Sequence, residues 1–307
     1  MNSGTREWPM PLASSLTVGV CLSMAPSISD GKEESVRRCG RVAGAVSVGM
    51  VMWLFASGAW AQAESATEKK RTLLAVFAHP DDETMVGPLL AHYGSKADTD
   101  VYLVLATGGD QGVTPFAKIP AGKKLAAVRG KEAECACQNL GIHPPIMLGL
   151  PDGGLSGFQV LGELVSKIEK VVTDVRPDAI VTWGPEGGYG HADHRLVSAA
   201  VTQIVQAGET TTLLYYAALP TKGLTSDVSS ALKLPVFKPT AERFLNTRVP
   251  YSEEDEAKAR AALACHESQF TPETMEQLSA LGRRVNNGVM YLRSWSGGAE
   301  RADLFQP

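Results

Sequence analysis

Ala78-His79-Pro80-Asp81-Asp82-Glu83 sets three carboxylates and an imidazole side by side, directly after the apolar run Thr72 to Phe77. Such a cluster at a strand exit is costly unless something positive, most simply a divalent cation, lies among the acids. A second polar cluster, Tyr189-Gly190-His191-Ala192-Asp193-His194, follows another apolar run far downstream. His79 and Asp82, three apart across a strand-to-helix turn, join with His194 to offer two imidazole nitrogens and one carboxylate oxygen. That is the donor set of a catalytic zinc site, with a position open for water; Fe2+ is the alternative ion on the same donors. Water held there loses a proton near neutral pH, and Asp81, beside the ligands, is in reach of it as general base. His191 could stabilise a developing oxyanion or protonate a leaving amine, with Asp193 holding its ring and Tyr189 adding a hydroxyl donor. Together these parts specify hydrolysis of an amide or ester by water. Glu83 reads as a helix cap or structural partner, His92 and His143 as ordinary packed or surface residues, and His266 as a residue without assigned chemistry or as a structural hydrogen-bond partner near the site.

The elements that must position these groups alternate regularly. Thr72 to Ala78, Val101 to Ala106, Ile146 to Leu150, Ala179 to Trp183 and Leu213 to Leu219 are short apolar runs suited to strands buried on both faces. Between them, Met85 to Tyr93, Lys123 to Leu140, Val160 to Val175 and Arg195 to Gln206 carry helical spacing. This alternation predicts right-handed crossovers and a doubly wound parallel sheet with helices on both faces. In such sheets sites form beyond the carboxyl ends of the strands, where the polar motifs fall. The glycines of Thr107 to Gly112 permit close backbone approach to a ligand, but they do not follow GxGxxG after a first strand, so no dinucleotide fingerprint is present. Residues 220–250 lack periodicity and read as a lid or variable loop. Glu253 to Glu267 reads as a further helix, and one domain over 62–307 is the economical reading.

Of the 307 residues, 44% are hydrophobic and 20% charged, ordinary for a globular chain. Arg37, Arg38 and Arg41 precede the apolar stretch Val42 to Phe55, and Ala59-Trp60-Ala61 offers a small-x-small cleavage site. Residues 1–61 therefore read as an N-terminal extension ending in a secretory signal peptide, which predicts export to the periplasm or beyond and no stable membrane insertion after cleavage. Cleavage takes away 5 of the 29 basic and 4 of the 33 acidic residues, leaving an acidic chain without a long basic run. Nucleic acid is excluded as an expected partner. Cys135, Cys137 and Cys265 survive cleavage, an odd number. Either one bridge from Cys265 to one of the other two, or three buried thiols, fits that count.

The motifs AHPDDE, TGGDQG at 107–112, Arg129-x-x-Glu132, LPDGGL at 150–155 and GYGHADH at 188–194, with Lys258-x-x-Ala261 and His266-x-Ser268-Gln269 near the C-terminus, resemble the LmbE-like, PIG-L family of zinc-dependent de-N-acetylases. The resemblance spans most of residues 72–270. It implies a Rossmann-like three-layer α/β sandwich with a mostly parallel sheet, and removal of an acetyl group from an N-acetylated amino sugar or glycoconjugate. By match to the motifs it implies zinc on His79, Asp82 and His194, Asp81 as base, His191 with Asp193 behind it at the transition state, and Tyr189 and Asp152 lining the substrate pocket. It also places Arg129 near substrate, whereas the spacing alone allows a plain i,i+3 helix pair with Glu132. Two rivals stand beside this reading. One is an amidohydrolase acting on a non-sugar N-acyl compound, and the other is an inactive secreted carbohydrate-binding protein.

Overall fold

The computed structural model describes residues 70–208, 211–221 and 238–306, all of which fall in the compact unit Glu64–Pro307. The extension and signal peptide read over residues 1–61, and 222–237 of the proposed lid, lie outside the described residues. Among the described residues no helix is long and apolar enough to cross a membrane.

Five strands, β1 (Arg71–Phe77), β2 (Thr99–Thr107), β3 (Ile146–Leu150), β4 (Ala179–Thr182) and β5 (Leu213–Ala217), pair in parallel. Two more, β6 (Thr247–Pro250) and β7 (Val289–Ser294), extend the sheet antiparallel, giving the order β3-β2-β1-β4-β5-β7-β6. The mostly parallel α/β sheet is as expected; the antiparallel edge is not foreshadowed by the sequence reading. β1 lies between β2 and β4, so the chain reverses its direction of winding there, and the crevice outside the carboxyl ends of β1 and β4 is the natural ligand site.

Successive residues of β1 feed two cores. Leu73, Ala75 and Phe77 pack with buried residues of α1 (Gly87–Gly94) and α2 (Lys123–Leu140), and α5 (Glu253–Leu263) lies against both helices. Leu74, Val76 and Ala78 pack on the other face with α3 (Phe158–Val175) and α4 (Ala192–Ala207). This period-two division explains why the strand reads as continuously apolar.

The helix expected over Met85 to Tyr93 begins as a 3-10 turn, Asp82–Val86, because Pro88 suits the first turn of α1 rather than its interior. A final helix, α6 (Pro272–Asn286), was missed; Thr271 caps it, accepting from the Thr274 N–H, and Pro272 occupies its first turn. Cys135 and Cys265 form a disulfide joining α2 to the end of α5, with Cα atoms 5.9 Å apart, while Cys137 is free and buried.

Candidate active site

Asp81 to Glu83 leave β1 through a backbone that few side chains adopt. Asp81 has φ 93° and ψ −18°, a left-handed conformation for a residue with a Cβ. It is held from both sides. Its N–H donates to Glu83 Oε2 (3.0 Å), its carbonyl accepts from the Thr84 hydroxyl (2.6 Å), and its carboxylate accepts from Arg129 Nη2 (2.9 Å). Glu83 is fully buried and its other oxygen lies 2.6 Å from His266 Nε2, itself fully buried. His266 thus reaches the site through Glu83, by the structural hydrogen bond near the site that is one of its two expected readings.

The turn aims two groups inward. Asp82 Oδ2 accepts from the N–H groups of Ala78 and His79 and from Trp183 Nε1, at 3.0, 2.9 and 3.1 Å. Its Oδ1 lies 3.1 Å from His194 Nε2, which is 3.1 Å from His79 Nδ1, and His79 Nδ1 is 3.7 Å from Asp82 Oδ2. Donors bound tetrahedrally to one ion at about 2.1 Å stand about 3.4 Å apart, so these separations fit one divalent cation. Two imidazole nitrogens facing each other at 3.1 Å also require something positive between them or a shared proton. Burial opposes charge on Asp82, yet His194 and His79 hold its carboxyl well below the usual range.

Each histidine is oriented from behind. His194 Nδ1 lies 3.3 Å from Gly187 O, which fixes its proton there and frees Nε2, and its ring stacks flat on Trp183 with centroids 4.5 Å apart. His79 Nε2 lies 3.0 Å from Asp152 Oδ1 and 3.5 Å from Asp193 Oδ2, at ion-pair distance but out of line for a hydrogen bond. Burial opposes protonation of His79, but Asp152, Asp193 and Asp82 outweigh it and raise its pKa to about 11. Three carboxylates, those of Asp82, Asp152 and Asp193, lie within 3.7 Å of the His79 ring nitrogens, a concentration of negative charge that a bound cation would offset.

The remaining residues differ in part from expectation. Asp193 does not hold the His191 ring with its carboxylate, which instead accepts from Gly153 N–H (2.8 Å). The Asp193 backbone N–H donates to His191 Nδ1 (3.2 Å), so His191 caps α4 and its neutral ring carries the proton on Nε2. Burial lowers the His191 pKa, and positive charge on His79 and His194 adds to this. Tyr189 is half exposed, its ring 5.2 Å from that of His194 and 6.0 Å from that of His191. Asp152 accepts from the Gln111 N–H (2.8 Å) and turns toward His79 rather than outward.

Arg129 and Glu132 are not a surface helix pair. Arg129 is buried and donates to Gly109 O (2.8 Å), to Pro80 O and to Asp81, whereas Glu132 accepts from the N–H and hydroxyl of Ser268, both at 2.7 Å. The glycine loop wraps this guanidinium, with Gly109 and Gly112 against it. A Cβ on Gly109, where φ is +63°, would stand 2.0 Å from Arg129 Nη1, and one on Gly112 would stand 2.5 Å from it. Burial drives the Asp81 pKa up to about 6, opposed by Arg129 and assisted by Asp82. Trp183 is the residue whose importance the sequence reading missed; an indole at a strand exit beside a glycine-rich loop was the available signal.

A cavity of about 470 Å³ opens from Asp81, Asp82, Trp183 and Tyr189 and runs between α5 and α6.

The family model described as PIG-L, GlcNAc-PI de-N-acetylase, matches residues 74–205. A 1D-myo-inositol 2-acetamido-2-deoxy-alpha-D-glucopyranoside deacetylase from Saccharomonospora viridis is 30% identical over 230 residues, 65% of this chain and 85% of that protein. The enzyme of the same description from Mycolicibacterium smegmatis is 34% identical over 155 residues, 44% of this chain and just over half, 53%, of its own length. Among solved structures, the N,N'-diacetylchitobiose deacetylase of Pyrococcus horikoshii superposes with a TM-score of 0.52 at 22% identity, covering 73% of this chain and 82% of that one, which shows a common fold. The matched residues 74–205 begin within β1 and end within α4, and so contain both polar clusters; the chain belongs to the PIG-L (LmbE-like) family.

Proposed function

We propose that the protein is an exported, metal-dependent hydrolase that removes an N-acetyl group from an N-acetylated amino sugar or glycoconjugate. The observation that carries this is the convergence of His79 Nδ1, His194 Nε2 and the Asp82 carboxylate within 3.1 to 3.7 Å, with Asp81 beside them on the floor of a cavity. The curated relatives described as acetamido-sugar deacetylases support the substrate class. The cleavage signal before residue 62 and the Cys135–Cys265 bridge support an oxidising destination for a hydrolase domain that begins near that residue.

His79, Asp82 and His194 would hold the ion, zinc or alternatively Fe2+ by donor chemistry. When bound, it supplies Lewis acidity to the reacting water and the amide carbonyl. Asp81, with its pKa near 6, is a carboxylate at neutral pH and accepts the proton that water loses as its oxygen bonds to the carbonyl carbon. Arg129 keeps that carboxylate aimed while Glu83 keeps its backbone in place. His191 Nε2–H and the Tyr189 hydroxyl donate to the oxyanion as it develops. Asp81 then returns its proton to the amine nitrogen as the C–N bond breaks, giving acetate and a free amine. Asp152 and Asp193 fix the His79 ring from behind.

The test is metal analysis of the mature protein together with acetate release from N-acetylglucosamine and its conjugates. About one metal per chain and stoichiometric acetate are expected. A purified protein without stoichiometric metal sinks the metal centre, and an Asp81→Asn protein that keeps its metal and full activity sinks the base assignment.

A further inference from the structure

Arg129, Glu132 and Cys135 follow one another at intervals of three along α2 and so share one side of the helix. Each is bonded to something different. Arg129 holds the Asp81 carboxylate, Glu132 accepts from the N–H and hydroxyl of Ser268, and Cys135 is bridged to Cys265. The residues from Cys265 to Gln269, just past the end of α5, are in turn tied to the supports of the Asp81 turn. His266 Nε2 lies 2.6 Å from Glu83 Oε1, the Thr114 hydroxyl donates to Ser268 O (2.7 Å), and Gln269 Nε2 donates to Gly112 O (3.0 Å). Through Glu83 this segment reaches the Asp81 N–H, and through Gly112 it reaches the glycine loop that lies against the Arg129 guanidinium. All of these ties are polar contacts that water can replace, except the bridge, which is covalent. Cys135 and Cys265 are both partly exposed, within reach of a small reductant, whereas Cys137, two residues on, is buried, and burial pushes its thiol up to about 12. Cys137 therefore supplies no thiolate to reshuffle the bridge.

We propose that residues 265–269 are a positioning strap for Asp81 and Arg129 and that the Cys135–Cys265 bridge is its clasp, so that turnover follows the oxidation state of the bridge. This rests on the hydrolase reading of the Asp81 centre. Reduction breaks the S–S bond: a dithiol passes two electrons and two protons to the sulfurs and leaves as its own disulfide. The two thiols are then free to separate, and Cys265 carries His266 and Ser268 with it. Glu83 loses its fixed partner, the loop around Arg129 loses Gln269, and the Asp81 carboxylate leaves the line on which it takes the proton from water. Misplacement of that kind costs rate far more than binding, because the groups must meet in the transition state. Among the described residues, neither His79, Asp82 nor His194 hydrogen-bonds to the strap, so metal content should not change.

The test compares the metal-loaded mature protein before and after treatment with a water-soluble phosphine, which takes up oxygen from water as the bridge accepts its electrons. The Cys135→Ser/Cys265→Ser protein is the same comparison without reductant. Both should keep their metal and their far-ultraviolet circular dichroism. Both should lose about ten- to a hundredfold in kcat on N-acetylglucosamine conjugates with KM within about twofold, and should exchange the backbone hydrogens of residues 78–86 and 107–114 faster. Reoxidation should restore the reduced protein. Ser268→Ala and Glu132→Gln, which keep the bridge, should reproduce the loss of kcat and the faster exchange, and reduction should cost these variants less than it costs wild type. They decide the question should the reduced chain unfold. Ile168→Ala, which empties space in the core on the other face of the sheet, should lower the urea midpoint but leave kcat and the exchange of 78–86 as in wild type. An equal loss of kcat there would assign the effect to general destabilisation and overturn the proposal. Where the oxidised protein releases acetate, unchanged kcat on reduction, or unchanged exchange in 78–86, overturns it too and leaves the hydrolase reading standing. Faster exchange on reduction in a protein that hydrolyses no acetylated sugar in either state supports the strap and overturns the hydrolase reading. Unchanged exchange without turnover overturns both.

Discussion

The pair formed by Glu83 and His266 offers a direct measurement of what holds Asp81. Both side chains are fully buried, Glu83 Oε1 lies 2.6 Å from His266 Nε2, and Glu83 Oε2 accepts from Asp81 N–H. His266→Ala leaves a buried carboxylate without its cation, a change that costs about 3–5 kcal/mol when one partner of a buried pair is removed. Glu83→Gln keeps an oxygen for the Asp81 N–H but removes the charge, and should cost about 1–3 kcal/mol. The double variant no longer contains an uncompensated charge, so its cost should fall short of the sum by about 1–3 kcal/mol. Urea unfolding of the four proteins, followed by far-ultraviolet circular dichroism, reads this coupling; additivity within about 0.5 kcal/mol would refute the ion pair. The pH dependence has a defined sign. Burial lowers the His266 pKa, but Glu83 outweighs it and the net shift is upward. The stability from protonated His266 is therefore fully present below about pH 6.5 and is lost as pH rises through the raised value. Wild type should lose stability across that alkaline window, and the double variant should lack this decrement.

Three further outcomes follow from the same geometry. Reduction of Cys135–Cys265, or Cys135→Ser, should lower the urea midpoint; the chain-entropy limit for a separation of 130 residues is about 5 kcal/mol, and an unchanged midpoint would mean that no bridge forms. Trp183→Phe removes the Nε1–H donated to Asp82 and should weaken metal binding about 10–100-fold in a chelator competition, with equal affinity counting against the arrangement. Gly109→Ala should displace the Arg129 guanidinium and cut kcat/KM by at least about tenfold, as geometric errors at a catalytic group do. Gly122→Ala, with φ +113° and open space around the added Cβ, should not; equal effects would assign the loss to backbone strain alone.

The central sheet was legible because period-two burial into two cores leaves no polar position in β1 after Thr72, and α2 was legible because its apolar stripe is long. That stripe also held the answer to the disulfide. Cys137 falls in line with Ala133 and Leu140, both buried, so Cys135 was the thiol free to reach α5. The antiparallel edge was not legible. β6 is four residues containing an arginine and a proline, and its pairing with β7 is set by tertiary contact rather than by its own pattern. Neighbouring residues in the two polar clusters could be read as a group, but not their individual aims. Whether Asp193 turns to His191 or to Gly153 depends on where β3 delivers the 151–154 loop, which local spacing does not encode.

Asp81 also marks where durability and turnover part ways. A non-glycine residue at φ 93° carries conformational cost of order 1–3 kcal/mol, and burial disfavours its charge. Glycine there would relieve the strain but leave the buried Arg129 guanidinium without its carboxylate partner. A screen that rewards heat resistance alone would therefore recover replacements of Asp81 only together with a change at Arg129, and such double variants should hold their fold longer while losing their chemistry. Engineering for robustness is better directed to the exposed surface of α3, which contributes no residue to the cavity.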